Sequence, residues 1–190
     1  YFIVGASLIK DSHIIIKNVG LNPTRIGMLQ VLDIMGANIK IKNKRLINNE
    51  PVGDIEVKYS PLKGCIIKGD VIGKLIDELP IIAVAAALAN GKSIIKDAEE
   101  LRYKETDRIK AITLELNKMG AKIEELTDGM VIHGVDELKS AILNTYGDHR
   151  IAMALTLAAL RAKGKSVICG SESINVSFPD FYDTLYYLLS

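Results

Sequence analysis

Residues 101–123 read LRYKETDRIKAITLELNKMGAKI and contain, in order, a run of charges, an amphipathic segment and a Met-Gly-Ala turn. Apolar side chains recur through the middle of this stretch at steps of three and four, which predicts a helix with one buried face. They are Ile109, Ile112, Leu116 and Met119. Gly120 stands where helices commonly end in a left-handed residue, so the chain is expected to turn there into a strand.

The charges at the start of this helix predict an anion-binding site. Four ionisable side chains crowd into five positions: Lys104, Glu105, Asp107 and Arg108. The first backbone N–H groups of a helix lack partners and the helix dipole is positive there, so added Lys and Arg strengthen the attraction for anions. From the residues alone, a solvated first turn with an ordinary cap explains the same charges equally well.

A second helix start of this kind lies at residues 146–150, which read YGDHR and precede an Ala/Leu-rich helix running to about Arg161. Asp148 can cap that helix, whereas His149 and Arg150 in its first turn oppose the dipole. A choice of residues that works against local stability suggests that a ligand supplies the missing negative charge. A hydrogen-bonded structural histidine is the alternative for His149.

A third helix start is marked by Pro80, because proline is tolerated only in the first turn of a helix. The predicted helix covers residues 81–89, and Asp77 lies just ahead of it. From the residues alone, an N-cap is the favoured role for Asp77.

The chain also repeats itself, since residues 35–39 (MGANI) recur as residues 119–123 (MGAKI). Each copy is expected to follow a helix and open a strand. Residues 87–95 and 159–168 form a second matching pair, and residues 2–16 have the same shape. About two and a half units of roughly 75 to 85 residues fit the length, which predicts pseudo-symmetric subdomains of one globule. Equivalent helix starts can then converge on one end of a single domain.

Several local predictions complete this outline. Asn22 and Pro23 are expected to cap and start a helix that reaches Met35. The basic residues 40–45 are expected to form a solvated loop of a hairpin. Cys65 and Cys169 are expected to be small buried residues in strands. Short strands are predicted at residues 55–59, 65–68 and 131–133.

Composition restricts the classes of function. Hydrophobic residues make up 48% of the chain, which is ample for a large core, and a net charge of +1 argues against nucleic acid as the main partner. The longest uncharged apolar run is far too short to span a bilayer. The two cysteines and three histidines lack metal-site spacing, so no metal is expected. We expect a cytoplasmic protein, and because the chain enters a predicted helix at Tyr1 without a cap, we expect it to be part of a longer protein.

Taken together, the motifs resemble one enzyme family. The matching stretches are LNPTR at 21–25, DELPI at 77–81, LRYKETDR at 101–108, YGDHRIAM at 146–153 and SFPDF at 177–181. Any one of them alone is weak, but in this order they are specific, and the chain resembles the C-terminal half of the 5-enolpyruvylshikimate-3-phosphate synthases. The resemblance implies an α/β lobe built as a pseudo-threefold repeat of βαβαββ-type units, with helices inside and sheets outside, one half of the inside-out barrel of enolpyruvyl transferases.

The resemblance also implies an activity. The family transfers the enolpyruvyl group of phosphoenolpyruvate to the 5-hydroxyl of shikimate 3-phosphate without a metal or other cofactor. The substrates lie between two lobes, and the N-terminal lobe, which supplies part of the site, is absent from this chain. Site residues carry over as Asp77 and Glu105 for acid/base catalysis, and as Lys104, Arg108, His149 and Arg150 for substrate binding. Lys104 would contact shikimate 3-phosphate, and the arginines would hold the phosphate and carboxylate of phosphoenolpyruvate.

Two departures and two alternatives accompany this interpretation. Val176 stands where some members have a lysine, and Glu100 where some have an asparagine, so one phosphate contact and one sugar contact of those members do not carry over to this chain. The related UDP-N-acetylglucosamine enolpyruvyl transferases share the fold and the chemistry, although the KETDR and DHR motifs argue against them. A non-catalytic anion-binding module is the other alternative.

Overall fold

All 190 residues, Tyr1 to Ser190, are described by a computed structural model. Its seven α-helices are α1 (Phe2–Leu8), α2 (Gly27–Ile34), α3 (Asp70–Gly73), α4 (Leu79–Ala87), α5 (Arg108–Lys118), α6 (His149–Leu160) and α7 (Phe181–Leu189). Its eleven strands are β1 (His13–Gly20), β2 (Asn38–Ile47), β3 (Glu50–Lys58), β4 (Ile66–Ile67), β5 (Lys92–Ile95), β6 (Lys122–Leu126), β7 (Gly129–His133), β8 (Leu138–Lys139), β9 (Ile142–Asn144), β10 (Ala162–Lys163) and β11 (Val167–Cys169). Short 3₁₀ helices cover Ile76–Glu78, Glu99–Tyr103 and Ser171–Val176.

Three apolar helices form the interior of the protein. Every residue of α4 is buried, α6 is buried from Ile151 to Ala158, and α1 from Ile3 to Leu8. A helix that is apolar all round needs neighbours on every side, and α4 packs against both α1 and α6. These helices contribute to one contiguous core of 47 buried apolar residues.

The sheets provide much of the exposed surface. β1, β3 and β2 form an antiparallel sheet in that order, and β4, β5, β7 and β6 form a second sheet in which only β4 and β5 are parallel. Two parallel pairs, β8 with β10 and β9 with β11, complete the set. Side chains of β2 are exposed along most of its length. Helices inside and sheets outside confirm the fold class predicted from the sequence.

The internal repeat is visible in the order of elements. The series α1, β1, α2, β2, β3 is matched by α4, β5, α5, β6, β7, and α6 begins a third unit that lacks the final hairpin. Gly36 and Gly120 end the outer helices α2 and α5 with φ of 81° and 86°, as the two Met-Gly-Ala turns predicted. The apolar face predicted for α5 is buried.

The predicted start of the second helix is wrong. α2 begins at Gly27 instead of Asn22, because the Asn22 side-chain oxygen accepts hydrogen bonds from the Thr24 amide at 3.0 Å and the Thr24 hydroxyl at 2.8 Å. An asparagine bonded to the backbone two residues later closes a turn that competes with a helix. The helix therefore starts after the turn.

The predictions for the basic run and the cysteines also need correction. Residues 40–45 belong to β2 and pair with β3, so they are a strand with exposed side chains instead of a loop. Cys65 is half-buried and precedes β4, and Cys169 is exposed at the end of β11. Side chains alternate between the faces of a strand, and in β11 it is Ile168 that points inward.

The predicted short strands are present as β3, β4 and β7, within a residue or two of the expected bounds except for the longer β3. None of the helices has the length and apolar character that crossing a bilayer requires.

One glycine is required by a close backbone approach. A Cβ added to Gly134, just after β7, would overlap the carbonyl oxygen of Ala89, which is backbone and cannot rotate away. We therefore expect Gly134→Ala to lower the free energy of unfolding by about 3 kcal/mol, toward the upper end of overpacking costs. Gly20→Ala is the matched control, because a Cβ there meets nothing within 4 Å, and its effect should stay within about 0.5 kcal/mol. Urea denaturation measures both; equal effects would contradict this account of Gly134.

Candidate active site

Arg108, the first residue of α5, lies at the centre of a cluster of charges. Its side chain is only 1% exposed and donates to three carboxylates. Nε lies 2.8 Å from Asp148 Oδ2, Nη1 lies 3.0 Å from Asp77 Oδ1, and Nη2 lies 2.6 Å from Glu105 Oε2. One guanidinium thus joins the segment before α4, the loop before α5 and the start of α6.

The ion pair of Arg108 and Asp148 forms the buried part of this cluster. Asp148 is fully buried, at 0% exposure. Burial acts to lower the pKa of Arg108, but the hydrogen bond to Asp148 and the charges of Asp148, Glu105 and Asp77 outweigh it and raise the pKa above its ordinary value. The guanidinium therefore stays charged in the interior, where removing one partner would leave an uncompensated ion.

Asp148 is also the N-cap of α6, as the sequence predicted. Its Oδ1 accepts hydrogen bonds from the backbone amides of Arg150 at 2.7 Å and Ile151 at 3.3 Å. The same carboxylate therefore satisfies the free amides of one helix and holds the first side chain of another. These two sets of contacts hold the start of α6 in a fixed position relative to the start of α5.

Asp77 lies between two arginines, and its predicted role as an N-cap is wrong. It belongs to the 3₁₀ turn before α4 and makes no capping hydrogen bond. Its Oδ2 lies 3.3 Å from Arg150 Nη2, and its backbone oxygen accepts from Arg150 Nη1 at 3.2 Å, in addition to the bond from Arg108. Charged guanidinium donors bind a carboxylate more strongly than a neutral amide does, which explains why they prevail.

Exposure separates the cluster into a surface layer and a buried support. Asp77 is 39% exposed, Glu105 is 51% exposed and Arg150 is 25% exposed, whereas Arg108 and Asp148 lie beneath them. A ligand can reach both surface carboxylates and one guanidinium. Two carboxylates held close together by one arginine can act as a proton acceptor and a proton donor.

The other two predicted site residues lie beside the cluster without joining it. Lys104 Nζ lies 2.6 Å from Glu100 Oε1, an i,i+4 pair on the surface. His149 is the first residue of α6, is half-buried, and its ring makes no hydrogen bond within the protein. The alternative of a hydrogen-bonded structural histidine is therefore wrong. No group of three or more His, Cys, Asp or Glu side chains is arranged to hold a metal ion.

Sequence analysis missed the support beneath the loop that carries Asp148. Glu115 of α5 is fully buried and accepts hydrogen bonds from the Tyr146 hydroxyl at 2.6 Å, the Asn144 amide at 3.0 Å and Lys118 Nζ at 2.7 Å. Tyr146 has the left-handed φ of 54°, which few non-glycine residues adopt. The sequence signal for this support was the position of Glu115, an acidic residue beside the apolar face of the predicted helix.

The double role of Asp148 gives a stability prediction. We expect Asp148→Asn to lower the free energy of unfolding by about 3 kcal/mol, because it removes the buried charge that balances Arg108 while keeping the shape of the side chain. Asp107→Asn is the matched control: Asp107 caps α5 and pairs with Arg102, but it is 32% exposed, so less than about 1 kcal/mol should be lost. Urea denaturation of both variants provides the comparison, and equal losses would show that the cap alone accounts for Asp148.

The bond from Tyr146 to Glu115 gives a pH-dependent prediction. This hydrogen bond, then burial and the Glu115 charge, raise the pKa of Tyr146 from 10.0 to about 12. The folded protein thus holds the phenolic proton more tightly than the unfolded chain, and stability from this group is complete below pH 10 and lost as pH rises toward 12. Tyr146→Phe should cost about 1 kcal/mol at pH 8, allowing for the exposure of the ring, and progressively less above pH 10.

Chemical denaturation from about pH 8 to pH 11.5 measures this difference. Tyr187→Phe serves as the control, because Tyr187 is 79% exposed and its hydroxyl makes no hydrogen bond within the protein. Its difference from the wild type should stay near zero at every pH. A difference for Tyr146→Phe that does not change with pH would contradict the assigned bond.

Comparisons with known proteins show which family this chain is similar to. The family profile described as EPSP synthase (3-phosphoshikimate 1-carboxyvinyltransferase) matches residues 1–185. The 3-phosphoshikimate 1-carboxyvinyltransferase of Crocosphaera subtropica is 53% identical over 97% of this chain and 41% of its own length. The protein of the same name from Syntrophomonas wolfei is 54% identical over all of this chain and 45% of its own length. The chain thus spans less than half the length of these curated relatives.

Solved structures give the same result for the fold. EPSP synthase from Acinetobacter baumannii superposes with a TM-score of 0.95 at 35% identity, over 98% of this chain and 44% of that protein. The enolpyruvyl transferase NikO from Streptomyces tendae superposes with a TM-score of 0.75 at 18% identity, over 98% of this chain and 41% of that protein, and shows a shared fold only. The profile match over nearly the whole chain decides the family, and this chain belongs to the EPSP synthases.

Proposed function

We propose that this chain forms one lobe of a 3-phosphoshikimate 1-carboxyvinyltransferase and provides half of its active site. The reaction moves the enolpyruvyl group of phosphoenolpyruvate to the 5-hydroxyl of shikimate 3-phosphate and releases phosphate. The observation that carries the proposal is that Asp77 and Glu105, both accessible, are held by the same buried guanidinium of Arg108. Membership of the family supports the choice of reaction.

The two carboxylates suit the proton transfers of this reaction. Adding an alcohol across the enolpyruvyl double bond requires a base at the hydroxyl and an acid at the methylene carbon, and the following elimination reverses both roles. We assign the base to Asp77 and the acid to Glu105. Asp77 faces two guanidinium groups and Glu105 faces one, and such a difference in surroundings allows two like groups to take opposite roles.

Arg150 is the proposed primary contact for phosphoenolpyruvate. It is partly exposed, and forked guanidinium groups bind phosphate and carboxylate through paired hydrogen bonds. We propose His149 and Lys104 as further contacts for the substrates. Lys104 donates to Glu100, and its ammonium group keeps two further N–H donors for shikimate 3-phosphate.

Arg108 requires a more specific account. A guanidinium has five N–H donors, and four contacts to carboxylate oxygens already occupy those of Arg108 almost completely. One donor is left, but the Arg108 side chain is only 1% exposed, so direct binding of phosphoenolpyruvate requires that the ligand take the place of Asp77 or Glu105 on the guanidinium. We propose such an exchange, which would free a carboxylate for proton transfer when the substrate arrives.

The remainder of the site is proposed to come from a second lobe of the same protein. The curated relatives are more than twice as long as this chain, and a ligand on the exposed carboxylates would still face solvent. Closure of the second lobe would exclude water and strengthen the ionic contacts. The same proposal places the enzyme in the shikimate pathway, which leads to chorismate and aromatic amino acids. It also includes a cytoplasmic location, and it limits the partners to these small molecules and the second lobe. It includes no metal or other cofactor.

Two other functions remain as competitors. Transfer to UDP-N-acetylglucosamine would use the same chemistry, but the family profile and the relatives favour the shikimate acceptor. A non-catalytic anion-binding module would use Arg150 and would have no need for two accessible carboxylates. Both competitors make different predictions for turnover.

Turnover in the two-lobed enzyme tests the proposal. We expect Asp77→Asn and Glu105→Gln each to lower kcat by about 10²- to 10⁴-fold, because each removes a proton-transfer group. Glu99→Gln is the matched control, an exposed carboxylate in the 3₁₀ helix before Lys104 with no side-chain hydrogen bond, and should leave kcat unchanged. Release of phosphate from phosphoenolpyruvate is the measurement, with shikimate 3-phosphate or UDP-N-acetylglucosamine as acceptor.

Normal turnover by Asp77→Asn would remove Asp77 from its role. Turnover with the nucleotide sugar alone would select the competing transferase. Absence of turnover with either acceptor, in a wild-type two-lobed protein that binds phosphoenolpyruvate, would select the binding module.

A further inference from the structure

A polar cavity of about 300 Å³ opens beside the two surface residues Asp77 and Arg150. Its wall also includes the turn at Thr24 and Arg25 and the end of the α3 segment at Gly73 and Lys74. Only one of its eight lining residues is hydrophobic. A cavity of this composition suits a small charged ligand and does not suit an apolar one.

The charges in this cavity do not balance. Its two carboxylates, Asp77 and Glu78, are already paired with arginines, at distances of 3.0 Å to 3.6 Å. Arg25 and Lys74, in contrast, have no carboxylate within 4.0 Å. Two cations, the exposed Arg25 and the half-buried Lys74, therefore line the cavity without a carboxylate partner in the protein, which favours the binding of an anion.

The backbone that carries these cations is held in place. A Cβ on Gly27 would lie 2.8 Å from the carbonyl carbon of Lys74, so the first turn of α2 rests directly on the Lys74 backbone. The Arg25 amide donates to the Asn22 carbonyl oxygen at 2.8 Å, and the Asn22 side chain closes the turn on Thr24. Positions fixed before a ligand arrives reduce the entropic cost of binding it.

The internal repeat places an arginine close to the start of the outer helix in both units. The two Met-Gly-Ala turns, at Met35 and Met119, are 84 residues apart, so Arg25 corresponds to the residue next to Arg108. In the second unit the arginine at the start of the outer helix is neutralised by Asp77, Glu105 and Asp148. In the first unit Thr24 aligns with Arg108, and Arg25 beside it, two residues before α2, has no carboxylate partner.

We propose that Arg25 and Lys74, together with Arg150, form a subsite for a phosphate-class oxyanion. A phosphate dianion would offset the two unpaired cations, and the fork of Arg25 can donate to two of its oxygens. Arg150 connects this subsite to Asp77 and hence to the proposed reacting groups. This inference depends on the proposed function in one respect, the source of the phosphate. The ligand is either the phosphoryl group of a substrate or the free phosphate that the reaction releases.

Binding to this chain tests the subsite without turnover. Inorganic phosphate, phosphoenolpyruvate and shikimate 3-phosphate are titrated separately at constant ionic strength by calorimetry. We expect the double variant Arg25→Gln/Lys74→Gln to weaken binding of at least one of them by about tenfold or more. The matched control is Lys40→Gln/Lys44→Gln, which removes the same charge from exposed positions of β2 that make no ion pair. It should change binding less than about twofold.

The pattern of losses identifies the source of the ligand. Loss of inorganic phosphate binding indicates a site for the released product, and loss restricted to one organic phosphate indicates a site for that substrate. The assignment is overturned if wild-type chain binds none of the three, if both double variants bind equally weakly, or if neither differs from wild type. Thermal unfolding of each variant confirms that it is folded.

These outcomes are separate from those of the proposed function. A two-lobed enzyme that keeps its turnover dependence on Asp77 while this subsite fails would leave the transferase proposal intact. If phosphate binding depends on Arg25 and Lys74 but the two-lobed protein shows no turnover, the subsite stands and the transferase proposal fails.

Discussion

The ion pair between Arg108 and Asp148 is the interaction on which the rest of the site depends. Both side chains are almost completely buried, so neither can exchange its partner for water. An isolated charge in that position would cost several kcal/mol, which makes the pair mutually obligatory. Because Asp148 also caps α6 and Arg108 starts α5, the pair sets the relative position of two helices. The accessible carboxylates are then placed by the remaining donors of the same guanidinium.

The internal symmetry of the lobe explains why such an interaction can form. Equivalent inner helices pack side by side, so their starting residues meet at one end of the core. Asp77 and Asp148, which precede α4 and α6, both reach Arg108 although they are far apart in the chain. Unrelated elements would bring such residues together only by chance. The repeat thus converts a local sequence feature into a composite site.

Much of this arrangement could be predicted from the sequence, because it depends on short-range rules. The apolar periodicity of α5, the cap at Asp148 and the turns at Gly36 and Gly120 follow from local helix chemistry. Those rules failed where long-range contacts compete with them. Asp77 is a residue type that often caps helices, yet two arginines from distant segments bind its carboxylate instead.

The remaining errors have equally specific causes. Asn22 closes a turn in place of a helix because its own backbone offers a nearer partner. The packing of α2 on Lys74 and the bond from Tyr146 to Glu115 depend on which elements become neighbours. The place of Glu115 beside an apolar helix face indicates burial, but it does not identify the partner. The charged helix starts single out the accessible carboxylates and arginines, and the motif resemblance assigns their roles, whereas their arrangement around Arg108 is visible only in three dimensions.

The small side chains of α4 have a consequence for how this lobe can vary. Residues 85–87 are alanines with no exposed surface, and they lie in the helix that packs against both α1 and α6. A larger residue there would separate the inner helices and shift the cluster of charges around Arg108 with them. Larger side chains should therefore be accommodated readily on the exposed strand β2 and poorly at the three alanines of α4.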